Sequence, residues 1–567
     1  MEENRTFLAN SRDAETGRPV YEQILKEFET GPEINRQLLM QILRDNQETE
    51  YGRKHGFADI TSVEEYQQRV PVITYDAIAD SIERMANGEQ NVLTAYPFQH
   101  MNLTSGTIGT EKKIPMTGKQ VEVFLKYNKC YTDGMKATLL DPSWMNGRTL
   151  CTQQGKHQRL PSGITVGFAS SAMAETIQGG KDAMNDMLTT LYTSPVEAVV
   201  PEPGTDTTYI HTRFALMDRE ITGIIASFNS MLLLGLKYVD ANSQMLIDDI
   251  ENGTICKEVR MPEKTRESLL RKIRPMPERA AELREIFRDG PGSCWVPKVW
   301  PHIQYYIGVG GDGFSIYDKI IKKEYTGNCL KNIYSGVIAS EGLWSVPSGL
   351  DTEDGVIAPG SAFIEFLPEE AGDDFSQCVT MDRVEAGKVY ELIITNLCGF
   401  YRYRTSDAVK VTGFRGATPM IRFMYRINRT INMTCEKTTE KALQTAVEAA
   451  MAECGLKLQD FCVWPNYETF TYEFLIEPAA DDPAFSREAM AECILRHMRE
   501  ANELFGENVD GGALGKPVVH WLQPQTAILY RDMMVFNGAP ASQIKPVRVI
   551  INERQRKFFY GLRKEEI

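Results

Sequence analysis

Apolar and polar positions follow two different periods along the 567-residue chain. Its N-terminal part mixes helix-period segments, such as "LKYNKCYTDGMKAT", with short strand-like runs, such as "PHIQYYIGVGG", which leads into a long amphipathic stretch. This alternation predicts an α/β class. From about residue 360 the apolar runs crowd together as "SAFIEFLP", "KVYELIITN", "FYRYR" and "AVKVTGF", with Gly, Asp and Asn clusters between them. They predict a mainly β subdomain. After residue 430 comes an Ala-rich helical stretch, "EKALQTAVEAAMAEC", stopped by Gly455. In "YETFTYEFLIEP", Phe470, Tyr472, Phe474 and Ile476 alternate as on a half-buried strand. Ser486 predicts the cap of a further helix carrying Met490, Ile494, Met498 and Ala501 on one face. Residues 430–567 thus read as a small separate α/β domain.

Length and apolar content suffice for a large core and roughly two to four domains. The formal charge of −15 comes with no run of Lys and Arg dense enough for a nucleic-acid face or a membrane-binding stripe. Neither nucleic acid nor a membrane is expected as a partner. The opening "MEENRTFLANSRDAETG" lacks the apolar core of a signal peptide, and the apolar run around "SMLLLGL" is too short to span a bilayer. The expected location is the cytoplasm. Eleven cysteines without a C-x-x-C pair argue for reduced thiols rather than a disulfide framework or a zinc site. Seven dispersed histidines form no H-E-x-x-H pattern, and His211 and His302 read as structural. There is no internal repeat and no low-complexity segment.

One stretch carries candidate chemistry: "MNLTSGTIGTEKKIPMT", residues 101–117. Glycines let successive backbone N–H groups converge on an anion, hydroxyls add donors and lysine adds charge. Ser105, Gly106, Thr107, Gly109 and Lys112 offer all three. The stretch fits neither G-x-x-x-x-G-K-[ST] nor G-x-G-x-x-G. Pro115 and Gly118 predict a strand or turn before a helix begins near Lys119. Composition alone leaves a phosphate cradle and a polar surface turn both open.

"TSGTIGTEK" resembles the phosphate loop T-S-G-[ST]-T-G-x-P-K of the adenylate-forming superfamily, which includes firefly luciferase and acyl-coenzyme A ligases. Six of its eight specified positions agree; Ile108 and Glu111 depart. Other stretches narrow the resemblance to the acyl acid amido synthetases, the auxin-responsive family known from indole-3-acetic acid and jasmonic acid conjugation. They are "YGRKHGFADITSVEEYQQRVPVITYDAI", "WVPKVWPHIQYYIGVGGDGFSIY", "FYRYRTSDAVKVTGF", "PMIRFMYRINRTINMTCEKTTEKAL" and "NGAPASQIKPVRVI", in the family's order over residues 50–550.

The resemblance implies a large N-terminal ATP- and acyl-binding domain with a β subdomain, residues 1–427. A small mobile C-terminal α/β domain, residues 428–567, would follow, with a hinge near Arg426 to Asn432. Thr104, Ser105, Gly106, Thr107 and Gly109 are implied as the phosphate loop, with Lys112 on the phosphates. The family's Y-x-S-S-E motif falls on Val337 to Glu341, keeping Ser340 and Glu341; Glu341 is the implied magnesium ligand. Its Y-R-x-G-D motif falls on Tyr403 to Asp407, with Ser406 in place of Gly. Asp407 is implied as acceptor for the ribose hydroxyls, a task that suits an ionised carboxylate. Arg426 matches the hinge arginine and Lys437 the lysine of D-K-[TN]-x-E; Lys545, in "QIKPVR", is a second candidate lysine.

The implied activity is an ATP- and Mg2+-dependent ligase that activates a small-molecule carboxylic acid as an acyl-adenylate and passes it to an amine, an amino acid in this family. An adenylate-forming ligase with a thiol acceptor such as coenzyme A is the nearest rival. The departures at Ile108, Val337, Ala339 and Ser406 motivate another, a nucleotide- or acyl-binding homologue without catalysis.

Overall fold

The structure is a computed structural model, and it describes residues 14–103, 112–153, 157–167, 188–310, 315–427, 431, 433, 436, 438–479, 485–510, 513–537, 539 and 544–564. The fold is mixed α/β. The chain forms two compact units: one runs to Thr405 and resumes over Val409–Phe423, and the other takes Ser406–Ala408 with the chain from Met424 onward. The division falls inside two long strands, Tyr403–Arg415 and Thr418–Arg426.

In the first unit a parallel sheet is built from Arg148–Cys151, Ile221–Phe228, Tyr305–Val309 and Lys331–Tyr334, in that order. The runs "ITGIIASF" and "YYIGV" are rich in Ile and aromatic residues, as doubly covered parallel strands require. The Tyr305 ring lies over Gly223, where a Cβ would meet it at 2.2 Å, so no larger residue fits there. A four-stranded sheet pairs Phe98–Leu103 antiparallel with Lys113–Thr117 on one side and parallel with Thr165–Gly167 on the other. Thr117 then caps the helix Gly118–Phe124 by accepting from the Gln120 N–H, and π-turns over Leu125–Cys130 carry that helix into Tyr131–Leu139.

The predicted β subdomain is a six-stranded sheet, ordered Ser345–Pro347, Gly355–Ile357, Thr418–Arg426, Tyr403–Arg415, Val389–Asn396 and Ala362–Pro368. The largest core joins it to the helix Gly31–Asn46 through Leu39, Ile42, Phe363, Leu392 and Ile394. One ion pair lies inside: Arg402 donates to both oxygens of Glu365 at 3.0 Å and to the carbonyls of Gln67 and Val70. Both residues of the pair are buried, and the two carbonyls take up the Nη1 protons, which the carboxylate leaves unmet.

The second unit has a three-stranded sheet, Leu458–Asn466, Thr471–Pro478 and Val518–Trp521, covered by helices that include Glu440–Glu453 and Arg487–Ala501. Ser486 caps the latter by accepting from the Ala489 N–H, and Met490, Ile494 and Met498 are buried. Tyr472, Phe474 and Ile476 face the core as their alternation predicts, but Phe470 does not. It sits in the turn before the strand, exposed and with φ of +53°, because the hairpin reverses at residues 467–470. Period-two spacing cannot mark where a strand stops and its turn begins.

Candidate active site

The described part of the first motif is its two flanks. Thr104, Ser105, Gly106, Thr107 and Gly109 lie outside the described residues, between the paired strands Phe98–Leu103 and Lys113–Thr117. On the second flank Lys112 Nζ stands 5.1 Å above the Tyr75 ring. The start of that strand is pinned by Tyr75, whose Oη accepts the Lys113 N–H at 3.0 Å, while Lys113 Nζ pairs with Glu83.

Ser340 and Glu341 form the two-residue turn of a small hairpin, Ile338–Ala339 with Gly342–Leu343. Both of their carbonyls are tied down. Asn102, fully buried on the strand that enters the first motif, donates from Nδ2 to the Ser340 carbonyl at 2.9 Å. Asn396, at the end of a sheet strand, donates from Nδ2 to the Glu341 carbonyl at 2.9 Å, and its own Oδ1 accepts the N–H groups of Cys398 and Phe400. Tyr403 Oη donates to Glu341 Oε1 at 3.4 Å. The turn is thereby fixed to two separate strands before any ligand binds. In place of the family's tyrosine and first serine, Val337 and Ala339 pack against the large core.

Among the described residues no group of three or more His, Cys, Asp or Glu side chains is placed to hold a metal. A magnesium ion of the nucleotide type takes one or two carboxylates and completes its shell with phosphate oxygens and water. Glu341, an oxygen donor on a fixed turn, fits that requirement.

In the second unit Asp407 and Arg426 meet. Arg426 donates from Nε to Asp407 Oδ1 at 2.8 Å and from Nη2 to Oδ2 at 3.4 Å. The preceding Ser406 holds φ of +61°, the left-handed region that glycine enters without strain. Lys437 lies outside the described residues, but Ile431 and Thr438 on either side of it are bridged by N–H···O bonds of 2.9 and 2.8 Å. The buried Glu436 accepts from the Met433 N–H at 2.8 Å and from Tyr472 Oη at 2.7 Å. Asn502 Nδ2 donates to both the Glu436 carbonyl and Thr438 Oγ1. Lys545 lies half-buried in an irregular stretch, 544–548, of the same unit.

Family models match three consecutive parts of the chain: the GH3 family N-terminal domain over residues 20–331, its central domain over 355–426 and its C-terminal domain over 441–554. The chain belongs to the GH3 family. It is 27% identical to the indole-3-acetic acid-amido synthetase GH3.3 of Arabidopsis thaliana over 545 residues, covering 91% of this chain and 89% of that one. It is also 27% identical to the jasmonoyl-L-amino acid synthetase JAR4 of Nicotiana attenuata over 558 residues, with 93% of each covered. The fold matches that of GH3.15 acyl acid amido synthetase with a TM-score of 0.82 at 22% identity over 96% of both chains. It also matches the same synthetase in complex with 2,4-DB, with a TM-score of 0.83 at 21% identity, covering 98% of this chain and 97% of that one.

For a GH3 chain, the residues that sequence reasoning missed are the ones that hold the motifs. Asn102 and Asn396 act on Ser340 and Glu341 across 238 and 55 residues. No local spacing announces such pairs. The only signal was polarity: an Asn inside "HMNL" and another closing "ELIITN" sit where apolar residues are expected.

Proposed function

We propose that this GH3 family chain activates a carboxylic acid with ATP and transfers the acyl group to an amino acid, forming an amide, AMP and pyrophosphate. The observation that carries the reading is the Ser340–Glu341 turn, both of whose carbonyls are anchored and one of them from the strand entering "TSGTIGTEK".

The carboxylate of the acid attacks the α-phosphorus, the bond to the β-phosphate oxygen breaks, and pyrophosphate leaves. The amine nitrogen then attacks the anhydride carbonyl, the carbonyl–phosphate bond breaks, and AMP leaves as the nitrogen loses a proton. No protein nucleophile is needed, so the residues act by position and charge. Thr104, Ser105, Gly106, Thr107 and Gly109 cradle the phosphates, with Lys112 beside them. Asp407 accepts from the ribose hydroxyls, with Arg426 beside it, and Lys437 meets the charge developing on the α-phosphate. Glu341 would hold the magnesium ion, whose chemistry there would be to neutralise charge on the departing pyrophosphate. Lys545 serves the half-reaction that Lys437 does not, as the second unit re-orients between the two.

The relatives are named for indole-3-acetic and jasmonic acid conjugation; what carries over here is the class, a small acid joined to an amino acid. The reaction belongs in the cytoplasm, where ATP is supplied. Among the described residues ten cysteines are free, and no helix is long and apolar enough to cross a membrane.

The test is magnesium-dependent pyrophosphate release from ATP with pooled carboxylic acids, with and without pooled amino acids, for wild type and Glu341→Gln. The expected result is release lost in the variant and a new amide mass when amino acids are added. A thioester with coenzyme A in place of the amide would move the chain to the thiol ligases. ATP binding with no release from any acid would make it a binding protein.

A further inference from the structure

The carboxyl ends of the parallel strands Ile221–Phe228 and Tyr305–Val309 hold a polar group that the roles above leave unused. Asn229 follows the first strand directly and opens the helical stretch Asn229–Asn252, kinked at Asn242, whose N-cap position, Phe228, offers no side-chain acceptor to the first turn. Asn229 is 0% exposed, yet neither its carbonyl oxygen nor its NH2 group meets a hydrogen-bond partner. Ser230 Oγ, on a residue 6% exposed, is also unmet. The amide lies against two glycines: a Cβ on Gly308 would stand 2.4 Å from Asn229 Oδ1, and one on Gly310 would stand 2.6 Å from Nδ2. A Cβ on Gly310 would also meet the Tyr334 ring, at 2.6 Å. Bare backbone at the end of the strand Tyr305–Val309 therefore makes room for this one amide, at the carboxyl ends of the two central strands of the parallel sheet, the side of open α/β sheets on which ligands bind.

A structural role does not account for the arrangement. Burying a primary amide without any of its hydrogen bonds opposes folding, and an apolar side chain of the same shape would serve packing better. What Asn229 and Ser230 offer instead is a matched set: an acceptor at Oδ1 and donors at Nδ2 and Oγ.

We propose that Asn229 and Ser230 hydrogen-bond a hydroxyl group carried by the acid, so that this chain selects hydroxylated carboxylic acids over apolar acids of the same shape. The proposal rests on the adenylation reading and names its substrate class. A hydroxyl gives its proton to Asn229 Oδ1 and accepts from Nδ2 or Ser230, which satisfies both ends of the amide. A methyl group in its place leaves them unmet, and sites built to bond a hydroxyl reject the analogue that lacks it. The helix start alone would also suit a second carboxylate, but that group has no proton for Oδ1.

The test compares matched trios, para-hydroxybenzoate, para-methylbenzoate and terephthalate, then ω-hydroxyhexanoate, heptanoate and pimelate, in pyrophosphate release by wild type, Asn229→Leu and Asn229→Ala. In wild type the hydroxy acid of at least one trio should exceed its methyl partner about tenfold or more in kcat/KM. Asn229→Leu should erase or reverse that ratio with the KM for ATP unchanged, and the melting temperature of the free protein should hold or rise. Asn229→Ala should erase it too if leucine does not fit. A wild-type ratio near one, a preference for the diacid, an equal loss for all acids in both variants, or a melting temperature that falls in both while the ratio survives would each overturn the proposal. If no acid releases pyrophosphate, the adenylation reading has failed. Calorimetric titration of the same trios then decides on Asn229, and the absence of hydroxyl-selective binding that Asn229→Leu removes would overturn it.

Discussion

Arg426 lays its guanidinium edge along the carboxylate of Asp407, with Nε 2.8 Å from Oδ1 and Nη2 3.4 Å from Oδ2. The two differ in exposure: the Asp407 side chain is 6% exposed and that of Arg426 is 43%. The guanidinium edge fixes the orientation of the sheltered carboxylate, which is what the vicinal hydroxyls of a ribose require of an acceptor. Asp407→Asn preserves the shape and removes the charge. Hydrogen bonds to a charged group are worth about 1.5–3 kcal/mol, so the KM for ATP is expected to rise roughly 10- to 100-fold. An unchanged KM would remove Asp407 from the nucleotide site.

Ser406, one residue earlier, stands in the left-handed region at φ of +61°. The conformation costs a side chain about 1–2 kcal/mol and costs glycine nothing, while glycine returns part of that through the entropy of its unfolded chain. Ser406→Gly is therefore expected to stabilise the protein by about 1 kcal/mol, read as a higher urea midpoint at constant slope. A lower midpoint would mean that the Ser406 hydroxyl contributes more than the backbone strain removes.

The Ser340–Glu341 turn makes a different prediction, because its anchors are buried. Asn396→Ala removes the donor to the Glu341 carbonyl and the acceptor for the N–H groups of Cys398 and Phe400. Leaving such groups unmet costs about 1–3 kcal/mol of stability. The variant should also need more magnesium for half-maximal pyrophosphate release, since the backbone under Glu341 is loosened. Asn102→Ala should shift the magnesium requirement the same way through the Ser340 carbonyl. Loss of stability with no change in magnesium dependence would make both asparagines plain structural ties.

These cases also show what was legible in the chain. The β-rich region, the helix ended by Gly455 and the Ser486 cap follow from period and from local backbone chemistry, which residues within one turn decide. Ser406 could be flagged because a serine stood where a glycine is usual, and the strained angle is there. Asn102 and Asn396 could not, because the carbonyls they serve lie across the fold rather than along the sequence. Asn229 was hidden for the same reason: its meaning comes from Gly308 and Gly310, far along the chain on the neighbouring strand and just beyond it.

His211 links burial to pH. It is 3% exposed, and its Nδ1 lies 2.7 Å from Ser194 Oγ, which itself donates to the Cys151 carbonyl at 2.8 Å. With its proton spent there, Ser194 accepts, so His211 carries its hydrogen on Nδ1 and leaves Nε2 bare and without a partner. Protonating Nε2 would bury a charge with no acceptor, and burial lowers the pKa from its ordinary value of 6.5 to about 4. Between those two values the unfolded chain binds the proton and the folded one does not. The contribution is therefore intact above 6.5 and declines as pH falls towards 4. From pH 7 to pH 5 it should amount to about 2 kcal/mol. His211→Asn, which can keep a donor towards Ser194 without a titrating ring, should lose about that much less stability over the same interval in parallel urea titrations. Equal losses in the two proteins would show that His211 does not resist protonation.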